Sequence, residues 1–112
     1  MDKETLILAN VDYENGKNRF AGNEALYHKY LLKFKEDKHF ADAKKAYQIG
    51  DYEQLLKETH ALKGVAGTLG LLDIYHASAD IVTAIRTEST DTMPEMFAKL
   101  ELSYNKIIEI LK

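Results

Sequence analysis

Along most of the chain apolar residues recur at i, i+3, i+4 and i+7, and no useful stretch alternates apolar with polar residues. That period belongs to amphipathic helices, so an all-α domain is expected. Leu6, Ile7 and Leu8 mark an apolar N-terminal segment to about Asn10, and a short helix is expected from Asp12 to near Ala21. Asn23 is a good N-cap for a helix with the stripe Leu26, Tyr27, Tyr30, Leu31 and Phe34, ending in the charged run KEDK. A shorter helix from about Phe40 to Ile49 closes at Gly50. Asp51, with Gln54 placed to complete a capping box, then opens a helix that runs to about Leu69, with Gly70 as its C-cap residue. Asp73 is placed to cap a helix that turns Ile74, Ala77, Ile81 and Ile85 inward and ends before the polar TESTDT connection. Thr92, Pro94 and Glu95 combine a capping box with an N-terminal proline, and Phe97, Leu100, Tyr104, Ile107, Ile108 and Leu111 follow as a buried stripe. Helices joined by short polar loops predict an antiparallel four-helix bundle with an additional short N-terminal helix or helices.

Composition narrows the function classes. A chain of 112 residues makes one domain, residues 1–112, with one core. The absence of Cys removes disulfide frameworks, zinc ribbons and thiol catalysis. A net charge of -3, with Lys and Arg spread among Asp and Glu, argues against a nucleic-acid partner. There is no long apolar run, and the start MDKETLILAN is too short and too acidic for a signal peptide. A cytoplasmic monomer with no membrane contact is therefore expected. Of six glycines, Gly16, Gly22 and Gly50 read as punctuation between helices and Gly70 ends one. Gly64 and Gly67 fall inside a helix and need another reason.

At 100° per residue, Leu55, Thr59, Leu62, Ala66 and Leu69 share one side of the helix over 52–69, which is its buried side. His60 lies roughly 140° from the centre of that stripe and points to solvent. Lys63, Gly64 and Gly67 fall on the His60 side. Two exposed glycines inside a helix cost about 1 to 2 kcal/mol relative to alanines. Their use is access: no side chain at Gly64 stands against the imidazole, and Gly67 leaves bare backbone beyond it. A neutral imidazole is nucleophilic and can attack a phosphoryl group, while the Lys63 ammonium offsets charge on the transferring oxygens. Another helix packing against the two glycines is the rival explanation, weakened by their lying opposite the apolar stripe.

The residues HALKGVAGTLG, from His60 to Gly70, resemble the signature of histidine-containing phosphotransfer domains, H-x-L-K-G, four variable positions, then L-G, with His60, Leu62, Lys63, Gly64, Leu69 and Gly70 in register. The segment NVDYENGKNRFAGNEALYHKYLLKF also looks like the family's N-terminal part, which extends the resemblance over nearly the whole chain. It implies a four-helix bundle presenting one histidine that takes a phosphoryl group from a receiver-domain aspartyl phosphate and passes it to another receiver aspartate. His60 is then the phosphoacceptor, Lys63 the phosphate-supporting cation and Gly64 the position kept small. The implied partners are response-regulator receiver domains and a hybrid sensor histidine kinase. Mg²⁺ comes from the receiver's acidic pocket in this family, so no metal or other cofactor is expected on this chain. No kinase or ATPase activity of its own is expected either, and the sequence has no P-loop and no G-x-G-x-x-G. In one respect the chain departs from the family. Where many members carry a polar residue that hydrogen-bonds the second ring nitrogen, this chain has Ala79 and Val82, with Asp80, Thr83 or His76 as substitutes only if that helix is rotated.

Leu56 and Leu71 project on the His60 side, either as a receiver-docking patch or beneath a short N-terminal segment, with Glu53 and Lys57 at the rim. Glu36-x-x-His39 and Asp73-x-x-His76 have the spacing of bundle metal sites, but no inward-facing Glu pair accompanies them. The competing functional class is a receiver-binding or scaffolding bundle that is not itself phosphorylated.

Overall fold

The computed structural model describes residues 1–112 as seven α-helices and one 3₁₀ turn, with no strand. In chain order they are α1 (Lys3–Leu8), α2 (Tyr13–Asn18), α3 (Glu24–Lys33) with the 3₁₀ turn Phe34–Glu36, α4 (His39–Ile49), α5 (Tyr52–Leu69), α6 (Leu72–Arg86) and α7 (Met93–Leu111). Helices α4 to α7 form the expected four-helix bundle, and α1 to α3 pack at one end of it. The molecule measures 40 × 23 × 22 Å.

Local chemistry accounts for most of the boundaries. Carboxylate or amide oxygens of Asp2, Asp12, Asn23 and Asp51 accept from the backbone N–H three residues on, at 2.8, 3.3, 3.0 and 3.0 Å. Each satisfies one of the four amides that a helix start leaves without a partner. Gly50 and Gly70 end α4 and α5 in the left-handed conformation, at φ 75° and 76°. The capping boxes do not form. The Gln54 side chain donates forward to Glu58, and the Asp51 amide that it would accept from donates to the Ala46 carbonyl instead; Thr92 precedes α7 without a side-chain hydrogen bond, leaving Pro94 in the first turn as the start signal. Asp73 is not a cap either. Helix α6 starts two residues earlier than an Asp73 cap would place it, at Leu72, and the Asp73 carboxylate is engaged by the Asn10 amide at 2.8 Å.

The core runs through all the helices. Leu55, Thr59, Leu62, Ala66 and Leu69 of α5 are buried as their spacing requires, and the Thr59 hydroxyl donates to the Leu55 carbonyl at 2.8 Å. Helix α4 closes onto α7 through stacked rings, Phe40 on Tyr104 at 4.1 Å and Tyr47 on Phe97 at 4.4 Å. The α3 stripe is narrower than its spacing suggests: Tyr27, Leu31 and Phe34 are buried, but Leu26 and Tyr30 remain 36% and 41% exposed. The reason is that α3 packs across one end of the bundle, which covers only one of its sides. Gly16 is not punctuation. It lies inside α2, and a Cβ there would stand 2.7 Å from the Tyr27 ring carbon Cε1.

Candidate functional site

Helix α5 carries four residues that the sequence singles out: His60 and Gly64 exposed, Lys63 and Gly67 half-buried. The inward Thr59 anchors the turn that places His60 on the opposite side. No group of the protein hydrogen-bonds the imidazole, so both ring nitrogens are open. Val82 is buried and Ala79 half-buried on α6, while Asp80, Thr83 and His76 face outward without a bond to His60. His76 instead lies edge-on to Tyr75, with ring centroids 5.3 Å apart.

The two helical glycines have different surroundings. A Cβ built on Gly64 meets nothing within 4 Å, so this position opens the surface beside His60. At Gly67 a Cβ would lie 3.1 Å from the Tyr75 ring. The two glycines thus differ: Gly64 borders open space, and the Tyr75 ring of α6 lies against Gly67. For Leu71 the second of the two expected readings holds. It is buried, pairing with Val11 in an antiparallel bridge, so the N-terminal segment covers it and it offers nothing to a partner. Leu56 is half-buried, and Glu53 and Lys57 are exposed as expected.

The N-terminal helices also complete the far end of α5. Its last carbonyls lack intrahelical donors. Tyr27 donates its hydroxyl to the Leu69 carbonyl at 2.7 Å, the Asp12 amide donates to Gly70 at 2.8 Å, and an Arg19 guanidinium N–H reaches the Thr68 carbonyl at 3.4 Å. Gly70 must be glycine on two grounds, its positive φ and the Asp12 carbonyl against which a Cβ would press at 2.5 Å. Burial pushes the Tyr27 hydroxyl up to about 12, so it remains a hydrogen-bond donor through the neutral range.

Two grooves border the site, and Gly64 and Thr68 line both. One, of about 650 Å³, runs between α3 and α5 past Phe20, Tyr30, Phe34, Ala61 and Val65. The other, of about 470 Å³, lies between α5, α6 and the end of α2, and its wall includes Arg19, Lys63, Gly67 and Tyr75. Neither Phe20 nor Arg19 emerges from sequence spacing, and Tyr30 does so only as a core residue, because they reach α5 only through the packing of α2 and α3 on its end. The metal spacings do not assemble: His39 is paired with Asp37 at 2.9 Å, Asp73 with Asn10, and no three His, Asp or Glu side chains converge.

An exposed imidazole on a bundle helix, with a cation three residues on and an open glycine next to it, is suited to receiving a group from a second molecule. A family model described as Hpt domain matches residues 33–109, from the end of α3 through most of α7. That is narrower than the resemblance read from the sequence, which takes in the helices before Lys33. No curated protein and no solved structure matches the chain. The match spans more than half of the sequence and contains the whole of α5, so the chain belongs to the Hpt domain family, whose business is histidine phosphotransfer in two-component signalling.

Proposed function

We propose that the protein is a phosphorelay intermediate whose phosphoacceptor is His60, with residues 1–112 acting as one domain. A neutral ring nitrogen attacks the phosphorus of a receiver's aspartyl phosphate. The N–P bond forms as the acyl phosphate P–O bond breaks, the carboxylate leaves, and the proton on the other ring nitrogen is released to water. Transfer onward to a second receiver aspartate reverses these steps. Lys63 offsets charge on the phosphoryl oxygens, and Gly64 lets the donor carboxyl approach. The apolar groove of Phe20, Tyr30, Ala61 and Val65 is the docking surface for the receiver, in place of a patch that would need the covered Leu71.

One observation carries the reading: the imidazole of His60 is exposed and unpartnered beside a position where a side chain would meet only open space. The test is incubation with a phosphorylated receiver, or with a small phosphoramidate donor, followed by mass measurement. An acid-labile phosphate that disappears in His60→Gln is expected. Its absence with the small donor and with every receiver tried refutes the reading. The unpartnered second nitrogen also favours the other class, a receiver-binding module that is not phosphorylated. Receiver binding without any His60-dependent label would select it.

A further inference from the structure

The protein is acidic overall, with 18 Asp and Glu against 15 Lys and Arg. The groove on the α6 side of Gly64 runs against that balance. Its cations are Arg19 and Lys63, no carboxylate lines it, and neither cation takes part in any ion pair of the structure. Of the 15 Lys and Arg, only Lys3, Lys17, Lys44 and Lys112 are paired with a Glu, so what sets this groove apart is two cations on one wall without a carboxylate. Arg19 is held at the groove by one N–H on the Thr68 carbonyl at 3.4 Å, which leaves most of its donor fork free.

From this we infer that the groove is an oxyanion site and that its occupant is a carboxylate side chain of the docked partner, taken by Arg19 with Lys63 beside it. The donor set decides between oxyanions. Gly64 and Gly67 lie inside α5, where their amides serve the helix, so no nest of free N–H groups is present to cradle a phosphate. The Thr68 hydroxyl is occupied as well, donating to the Gly64 carbonyl at 3.0 Å. What remains is the planar guanidinium fork of Arg19, which fits a carboxylate in bidentate fashion, with the Lys63 ammonium as a point charge shared with the phosphoryl oxygens. The bare backbone of Gly64 lets that side chain lie close to the helix. Position supports a docking role: Gly64 is about 6 Å along the helix axis from His60 and Thr68 about 12 Å, within the footprint of a domain seated on the imidazole. Arg19 lies before the residues matched to the family, so it is a specificity residue contributed by the N-terminal helices.

The identity of the partner rests on the relay reading, whereas the site itself is testable without it. In ¹⁵N NMR, N-acetylglutamate is expected to shift the Arg19 side-chain N–H and the Gly64 and Gly67 amides saturably. N-acetylglutamine amide, which has no carboxylate and no charge, should not, and Arg19→Gln should abolish the response. No saturable shift, or an equal one in Arg19→Gln, overturns the site. With a receiver that takes phosphate from His60, Arg19→Gln is expected to weaken binding about three- to tenfold and flatten its salt dependence. Lys106→Gln, the same charge change on α7, should have no effect. Unchanged affinity in Arg19→Gln, or an equal loss in Lys106→Gln, overturns the docking role. Labelling of His60 by a small phosphoramidate needs no partner carboxylate and should proceed equally in Arg19→Gln. If the unaltered protein takes no label, the relay reading fails while the N-acetylglutamate titration still decides the groove.

Discussion

Replacing Gly64 separates stability from transfer. The residue sits in the middle of α5, and the space a Cβ would take is empty. Gly64→Ala therefore gains helix propensity with no steric loss, about 0.8 to 1 kcal/mol. For a domain of 112 residues, with an unfolding entropy of roughly 2 cal/mol/K per residue, that corresponds to a rise in Tm of about 4 °C. Gly64→Leu should keep much of the gain, since the longer side chain also points into open space. At the same time it would stand where the donor carboxyl must approach. Receiver-dependent transfer should slow about tenfold or more, the consequence of an added clash of roughly 1 to 3 kcal/mol in the docked complex. A small phosphoramidate has no domain to seat and should lose much less. Circular dichroism melts measure the first effect and mass-resolved phosphorylation time courses the second. If Gly64→Ala fails to raise Tm, the empty-space reasoning is wrong. If Gly64→Leu matches the unaltered protein in receiver-dependent transfer, Gly64 has no part in access.

Three further outcomes follow from the same geometry. The Ser78 hydroxyl is fully buried in α6 without a hydrogen-bond partner, so Ser78→Ala should stabilise the fold by about 1 kcal/mol in urea titrations; a loss of stability would mean that the hydroxyl is satisfied. Tyr27→Phe removes the donor to the buried Leu69 carbonyl and should cost about 1 to 3 kcal/mol, whereas an unchanged urea midpoint would show that this carbonyl finds another donor. Burial raises the Tyr27 hydroxyl from 10.0 to about 12 and moves those of Tyr13 and Tyr104 upward as well. Between those values the unfolded chain releases a proton that the folded one keeps. Stability should therefore be complete below pH 10 and fall as pH rises through 12, with a shallower fall in Tyr27→Phe; equal slopes in the two proteins would remove Tyr27 as a cause.

The course of α5 is readable from local chemistry. Asp51 has the side chain that caps a helix start, Gly70 the freedom that ends one, and the inward period between them puts His60 on the outer side. The same reasoning fails wherever a residue is decided by an element far along the chain. Gly64 and Gly67 both fall on the outer side of a helical wheel, about 60° apart, yet only the second meets Tyr75, because α6 packs on that side. Leu71 has the spacing of an exposed residue and is buried because Val11 pairs with it across 60 positions. Leu26 and Tyr30 carry a stripe's spacing without its burial, since spacing says which side of a helix is apolar but not how much of that side a neighbour covers. Arg19 leaves no local signal, for its contact with Thr68 spans 49 positions.

The N-terminal helices owe their order to carbonyls made long after them. Helices α1 and α2 have six residues each, too few to persist alone in water. Their anchors, the bonds of Asn10 to Asp73, Arg19 to Thr68 and Tyr27 to Leu69, close loops of 63, 49 and 42 residues. Helices α4, α5, α6 and α7 are joined in sequence by short connections and can pair as hairpins as they form. The wall that holds Arg19 therefore cannot be completed without the end of the helix that bears His60.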